Sequence, residues 1–411
     1  MRVLVFEAGY LGHRLTYLRL MLSAICRLAD DVTVALPLDA PQTLQYRTQL
    51  ASLEGQFHLD AWMPPVAPTL LANALQTARM LLESIRRCNA DYVFVPSADG
   101  LAQALGLMHR LHIARVPPRV ELEGLLLRGS FAYKRPGLKR RWAAVAALKA
   151  AALGPWSLLH YLDPIPYASI QQRGGSFAQR VRLMPDPVEP PLITDRFAAR
   201  RFLGIPQDGR YVGSAGVSER RKGSDRLIRA FAEAPLREND RLLLVGRIDR
   251  DLRPMIDNEF AHLVRSGRII ILDRYVTEEE LRAGVSAMDL VCTPYPEHIG
   301  SASIVIRAAA SQRPVLASDF GWMGFVVSHF SLGRTCPVTS PGQLASSLVK
   351  ALDESADFRL SPAGQRFVQF HAMDNFQAAW TARLRQRLAL PPSQTCRTWQ
   401  WVIGTDQSLS S

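Results

Sequence analysis

The sequence predicts an α/β protein of two parallel-sheet domains. Two observations carry this: a length of 411 residues, and a repeated alternation of short aliphatic runs with segments of helical period. A single hydrophobic core stops growing near roughly 250 to 300 residues, so a chain of this length divides. Short β-branched runs separated by helices are the pattern of parallel strands joined by crossovers.

In the first half the strands are expected at 2–7, 32–36, 92–95, 120–122 and 158–162, and in the second at 211–213, 242–245, 269–272, 290–293 and 315–317. Thr277 with Glu280 three residues on forms a capping box and starts a helix expected to reach about Met288. Between the halves, Met184-Pro-Asp-Pro-Val-Glu-Pro-Pro191 holds four prolines, which lack the amide donors that helices and sheet interiors need. The expected domains are therefore 1–187 and 188–375, then a C-terminal helix over 376–390 and a polar, Ser-rich flexible tail over 391–411. Two such sheets place their strand C-termini, where open α/β sheets bind ligands, toward a shared cleft.

Composition narrows the partners. With 48% hydrophobic residues the chain is not a disordered one, and 49 Lys and Arg against 37 Asp and Glu leave a formal charge of +12 that attracts anions. The excess is spread along the chain, with no basic arm or motif for nucleic acid, so nucleic acid is not an expected partner. Cys26, Cys88, Cys292, Cys336 and Cys396 are far apart and odd in number, as in a reduced, cytoplasmic protein. The opening Met-Arg-Val-Leu-Val-Phe-Glu reads as a strand and not a signal peptide. No run reaches the ~18 apolar residues of a membrane span.

Three strand-to-helix turns carry the chemistry. The first, Glu7-Ala-Gly9-Tyr-Leu-Gly12-His13-Arg14, offers Gly12 for close ligand approach and His13 and Arg14 as acceptor-side or cleft residues; glycine in such a turn also has a purely steric reading. The second, Gly213-Ser-Ala-Gly216-Val-Ser-Glu-Arg220-Arg221-Lys222-Gly223, sets three cations beside a helix N-terminus, where fixed charge and unpaired amides both favour a diphosphate. It is not a Walker loop, because its lysine precedes the glycine. In the third, Tyr295-Pro-Glu297-His-Ile-Gly300-Ser301-Ala-Ser303-Ile-Val-Ile-Arg307, the residues Gly300, Ser301 and Ser303 supply amides and hydroxyls for phosphate. Glu297 either caps that helix or accepts hydrogen bonds from sugar hydroxyls. Asp249-Arg-Asp251 lies in a surface turn, no His/Cys zinc spacing occurs, and no metal is expected.

A series of segments in the second half resembles the retaining glycosyltransferases of family 4, which have the GT-B fold of two Rossmann-like domains facing across a cleft. In order these are Arg201-Phe-Leu-Gly-Ile-Pro206, Lys222-Gly223 opening a helix that ends Arg229-Ala-Phe231, Leu243-Leu-Val-Gly246, Tyr275-Val-Thr-Glu-Glu-Glu-Leu281, Ala287-Met-Asp-Leu290 and Arg313-Pro-Val-Leu-Ala-Ser-Asp319. The resemblance implies a retaining hexosyltransferase that moves a sugar from a nucleotide-activated donor to a glycan, lipid-linked or small-molecule acceptor. It implies no cofactor, the nucleotide sugar being a co-substrate, and it puts Lys222 on the diphosphate, helped by Arg221 or Arg220. Glu297 corresponds to the first of the family's paired glutamates. Arg307 falls at the second, ten positions on (307 − 297), where the family's spacing is two shorter. Arginine only donates hydrogen bonds, so Arg307 is expected on a phosphate, or Asp319 on the ribose. Glu123, in Val120-Glu-Leu-Glu-Gly124, stands where a sugar-touching histidine is usual, or is a solvent-exposed strand end. The loss of the second glutamate keeps open an alternative: a GT-B scaffold that binds a glycan, nucleotide or partner without turnover.

Finally, Lys134, Arg135, Lys139, Arg140 and Arg141 with Trp142 form a cationic, aromatic cluster suited to anionic headgroups at the inner face of a membrane. A solvated face or an acceptor-binding surface has the same composition.

Overall fold

The computed structural model describes residues 1–11, 14–113, 115–133 and 138–404, apart from the side chains of Leu138 and Arg141. The expected site residues Gly12 and His13, together with Lys134, Arg135 and the Arg141 side chain, lie outside the described residues.

The chain forms two compact units. The first is Met1–Pro185 with Met373–Arg397, and the second is Asp186–Ala372 with residues 398–404, of those described. Unit 1 is built on seven strands: β1 (Arg2–Phe6), β2 (Asp31–Pro37), β3 (His58–Trp62), β4 (Tyr92–Val95), β5 (Glu121–Leu126), β6 (Leu158–Tyr161) and β7 (Val181–Leu183). They pair in the order β3-β2-β1-β4-β5-β6-β7, every pair parallel. Unit 2 has six: β8 (Tyr211–Ala215), β9 (Arg241–Val245), β10 (Ile269–Leu272), β11 (Leu290–Thr293), β12 (Val315–Ser318) and β13 (Gly333–Cys336). Their order is β10-β9-β8-β11-β12-β13, again all parallel. Order reverses between β1 and β4 and between β8 and β11, so each unit has one crevice outside the carboxyl ends of its strands.

Burial explains which strands were visible in the sequence. In β4 the run Tyr-Val-Phe-Val is wholly buried, as parallel strands covered on both faces must be. The strands without an apolar run are β3, β7 and β13, and each stands at a sheet edge. Their sequences, His-Leu-Asp-Ala-Trp, Val-Arg-Leu and Gly-Arg-Thr-Cys, alternate in burial or lie partly open to solvent. The capping box forms as expected, with Thr277 and Glu280 each accepting from the other's backbone N–H.

The end of the chain differs from expectation. The helix drawn over 376–390 runs Met373–Arg387 and packs on unit 1, with Phe376, Trp380 and Leu384 in the core formed around β1, β2 and β4. Trp380 lies 5.2 Å from the Phe94 ring and 5.2 Å from that of His160, and Glu121 of β5 accepts from Arg383 and pairs with Arg387 at 3.3 Å. Part of the expected tail is folded too. Trp399–Val402 is a short helix, and Trp399 packs edge-on against Phe330 and Phe370 of unit 2. Two tryptophans in a polar stretch supply the apolar area that its period did not announce. No described helix is long and apolar enough to cross a membrane.

Because Trp380 is fully buried, Trp380→Ala is expected to lower the stability of unit 1 by about 3–5 kcal/mol, while Trp399→Ala lowers that of unit 2. Calorimetry that resolves two transitions checks this; movement of the same transition by both variants would contradict the assignment of 373–397 to unit 1.

Candidate functional site

The crevice of unit 2 is made by the turns after β8 and β11. Beyond β8 the chain passes Gly216, enters a single 3₁₀ turn over Arg220–Lys222, and at Gly223 takes φ 69° before the helix Ser224–Glu233. A Cβ on Gly223 would stand 2.1 Å from the Pro294 carbonyl oxygen, so the turn bearing Lys222 is pressed onto the residue that follows β11. Only glycine satisfies both the left-handed backbone and this contact.

The three cations of this turn do different things. Arg220 turns out to Asp225 at 3.5 Å, and Arg221 is exposed and paired with Glu219. Lys222 turns inward, lining a small cavity with Ser214, Val217, Leu227, Pro294 and Tyr295. It forms no ion pair among the described residues. Burial pushes its ammonium below the usual lysine range, opposed in part by the charge of Glu219. A cation withdrawn from water without a counter-ion is unfavourable unless a ligand supplies one.

After β11, Tyr295 is buried, Glu297 is exposed, and Gly300 takes φ 93°. The helix Ser303–Ala310 begins at Ala302 with no side-chain cap. The backbone N–H groups of Ser301, Ala302, Ser303 and Ile304 find no acceptor among the described residues, leaving a run of donors at the positive end of a helix. Ser301 is held from two sides. Its hydroxyl donates to Asp186 Oδ2 at 2.6 Å, and its carbonyl lies 3.1 Å from His298 Nε2. The hydroxyl proton expected for phosphate is therefore committed to Asp186, and Ser301 has its amide to offer.

Arg307 departs from expectation in a similar way. Its guanidinium donates to Glu278, in the first turn of the helix Glu278–Ala287, and its side chain is largely buried. Asp319 is exposed just past the carboxyl end of β12, beside β11. Unit 2 thus gathers Lys222, Glu297, Gly300, Ser301, Ser303 and Asp319 at the carboxyl ends of three adjacent strands. Asp249 caps its own turn by accepting from the Asp251 N–H at 3.0 Å.

In unit 1, Arg14 follows β1 and binds the buried Glu7 carboxylate at 2.7 Å, which also accepts from the Gly9 N–H at 3.1 Å. Burial raises the Glu7 pKa against the opposing charge of Arg14. The expectation for Glu123 needs correction. Its side chain is 1% exposed, with one oxygen accepting from the Tyr92 hydroxyl and the other 2.9 Å from His160 Nε2. Tyr92 and His160 face it from the strands on either side of β5, so Glu123 is enclosed by the sheet and is neither a strand-end carboxylate in solvent nor open to a ligand.

Sequence reasoning missed Asp186 and His371. The Asp186 N–H donates to His371 Nδ1 at 2.9 Å, and the Val188 N–H donates to the His371 carbonyl at 3.1 Å. Asp186 was hidden in a Pro-Asp-Pro string that reads only as a helix breaker. Burial lowers the His371 pKa from 6.5 to about 4, so the ring is neutral and Nδ1 accepts. The unfolded chain takes up a proton below pH 6.5 and the folded chain does not. The resulting stability is complete above that pH and is lost as pH falls toward 4, by roughly 3 kcal/mol. His371→Asn should flatten the pH dependence of urea unfolding between pH 7 and 4; an unchanged slope would refute this assignment.

Comparison with known proteins places the fold. Sucrose-phosphate synthase from Thermosynechococcus elongatus superposes with a TM-score of 0.72 at 17% identity, over 95% of this chain and 100% of that one. Anabaena HepE, solved in complex with UDP, superposes with a TM-score of 0.68 at 15% identity and the same coverage. The two parallel-sheet units are those of the GT-B fold. A D-inositol 3-phosphate glycosyltransferase of Corynebacterium aurimucosum is 32% identical over 200 residues, 47% of this chain and 46% of that protein. The chain spans about half the length of the curated relatives it matches. Residues 209–354, most of the strands and helices of unit 2, match the family model described as Glycosyl transferases group 1.

Proposed function

We propose that this protein is a glycosyltransferase that takes a sugar from a nucleoside diphosphate donor, and that the crevice of unit 2 holds the donor's diphosphate. The observation that carries this is Lys222, a partly desolvated cation with no ion pair among the described residues, in the turn that Gly223 presses onto the end of β11, where the following turn carries four amides with no acceptor among the described residues. Together they present positive charge that needs no reorganisation as the diphosphate leaves, which is how glycosyl transfer is accelerated. Glu297, exposed at the rim of the β11 turn, accepts hydrogen bonds from sugar hydroxyls. Asp319, at the end of the neighbouring strand, reaches the ribose. The proximity of the fold to a protein solved with UDP supports a uridine nucleotide as the donor class.

The resemblance to family 4 further supports retention of configuration, a hexose as the transferred sugar, and a sugar or lipid-linked acceptor. In that reading the departing phosphate oxygen takes the acceptor's proton, no protein base is needed, and the co-substrate is the sole small molecule required. The protein then works in the cytoplasm. A second reading, binding without turnover, is favoured by one observation: Arg307 is closed onto Glu278 and leaves the family's second glutamate unreplaced on this helix.

Thermal stability with UDP and UDP-glucose separates these. A donor at one hundred times its Kd adds about 2.7 kcal/mol. Lys222→Met is expected to abolish that gain while leaving the unliganded protein as stable or more so, because it removes a partly desolvated charge. Binding without release of UDP in the presence of acceptor sugars selects the second reading; no stabilisation by any nucleotide sugar rejects the transferase, and stabilisation by a glycan instead selects the scaffold. Affinity should be full at neutral pH and decline as pH rises through the lowered Lys222 pKa, before the 10.5 of an unperturbed lysine; titration calorimetry across pH 7 to 10 reads this.

Association with an anionic membrane is supported by the helix Leu138–Ala152, where Lys139 and Arg140 are exposed and Trp142 is 67% exposed. Sedimentation with phosphatidylserine vesicles should fall at high salt and with Trp142→Ser; equal sedimentation with neutral vesicles would contradict an electrostatic contact.

A further inference from the structure

We propose that Asp186 is a positioning residue for the donor's diphosphate, acting through the hydroxyl of Ser301. The proposal rests on the reading of the β11 turn as the diphosphate site and adds the group that holds that turn in its binding geometry.

Asp186 is the first residue of unit 2 and is buried, 5% exposed. It lies 115 positions from Ser301 in the sequence, and their 2.6 Å bond crosses the unit. Its own backbone is immobilised. The Asp186 N–H ends on His371 Nδ1, the Val188 N–H ends on the His371 carbonyl, and Val188 and Ala372 form a parallel bridge. A fixed carboxylate thus grips the hydroxyl of the first residue in a run of amides that find no acceptor among the described residues. On the other side His298 holds the Ser301 carbonyl.

Fixing both the side chain and the carbonyl of Ser301 fixes the peptide planes around it, and with them the direction of the amides. Donors already aimed at an anion lose little freedom when it binds, and that pre-organisation is where affinity is gained. A buried carboxylate close to an anion site is unfavourable on electrostatic grounds, so its presence calls for a compensating role. Accepting the hydroxyl proton supplies one: the loop is oriented by a charge-assisted hydrogen bond, which is stronger than a neutral one.

The test is titration calorimetry of UDP binding to the full chain in wild type, Asp186→Ala, Asp186→Asn, Ser301→Ala, the Asp186→Ala/Ser301→Ala double variant and Lys222→Met, with circular dichroism to confirm folding. Asp186→Ala and Ser301→Ala are each expected to weaken UDP by about tenfold, and the double variant no further, because both remove the same bond. Asp186→Asn keeps an acceptor for the hydroxyl and is expected within threefold of wild type. Ser301→Ala removes one exchangeable hydroxyl and leaves Asp186 in place, so it reads the bond even where Asp186→Ala unfolds. Wild-type-like binding by folded Ser301→Ala, or additive losses in the double variant, would overturn the positioning role while Lys222→Met still reports the site. Absence of UDP binding in the wild type would remove the diphosphate reading, and this proposal with it.

Discussion

The close approach of Gly223 to the Pro294 carbonyl is the constraint that sets the β8 turn of unit 2 and with it the place of Lys222. The turn that carries it follows β8, and Gly223 lets that turn press onto the end of β11. This places the ammonium in a small cavity instead of in solvent beside Arg220 and Arg221. Those two arginines show what the same chemistry does when it is left outside: each finds an acidic neighbour within a few residues and is neutralised. A half-buried cation without an ion pair among the described residues persists in a fold only where the rest of the structure over-determines it, and parallel strands buried on both faces provide that rigidity.

Elsewhere in the chain buried charge is paired, in unit 2 between Arg200 and Asp289 and between Arg210 and Asp240, and in unit 1 likewise. Glu7 is met by Arg14 and a backbone amide, and Glu123 is enclosed by Tyr92 and His160. Glu121 receives arginines from the returning helix Met373–Arg387. These carboxylates are spent on structure, tying strand ends and the C-terminal helix to one sheet. In the β11 turn of unit 2 the amide donors find no acceptor among the described residues, while its serine hydroxyl and carbonyl are tied back. Asp186 and His371 lie beside two of the three places where the chain passes between units, and the hydrogen bond between them stiffens that part of unit 2.

Much of the architecture was legible before any coordinates. Interior strands such as β4, β9 and β11 carry continuous apolar runs because both faces are covered, and the box at Thr277 and Glu280 announces its helix through two local hydrogen bonds. The edge strands β3, β7 and β13 were not legible, since their partly exposed positions carry no apolar run, whereas β10, also at an edge, kept Ile-Ile-Ile-Leu and was legible. The returning helix was recognisable as a helix but not as part of unit 1, because its partner surface is formed by strands more than two hundred residues earlier in the chain.

The same division holds for the site. Composition and local order alone determined that a lysine and two glycine-bearing turns follow parallel strands, since a turn's residue types reflect the backbone it must adopt. Which of Arg220, Arg221 and Lys222 turns inward, whether the Ser301 proton is free, and that Glu123 is enclosed and Arg307 engaged were decided by tertiary structure alone. Each depends on a partner distant in sequence, Pro294, Asp186, His160 or Glu278, and a side chain's availability is set by what packs against it, which no local pattern encodes.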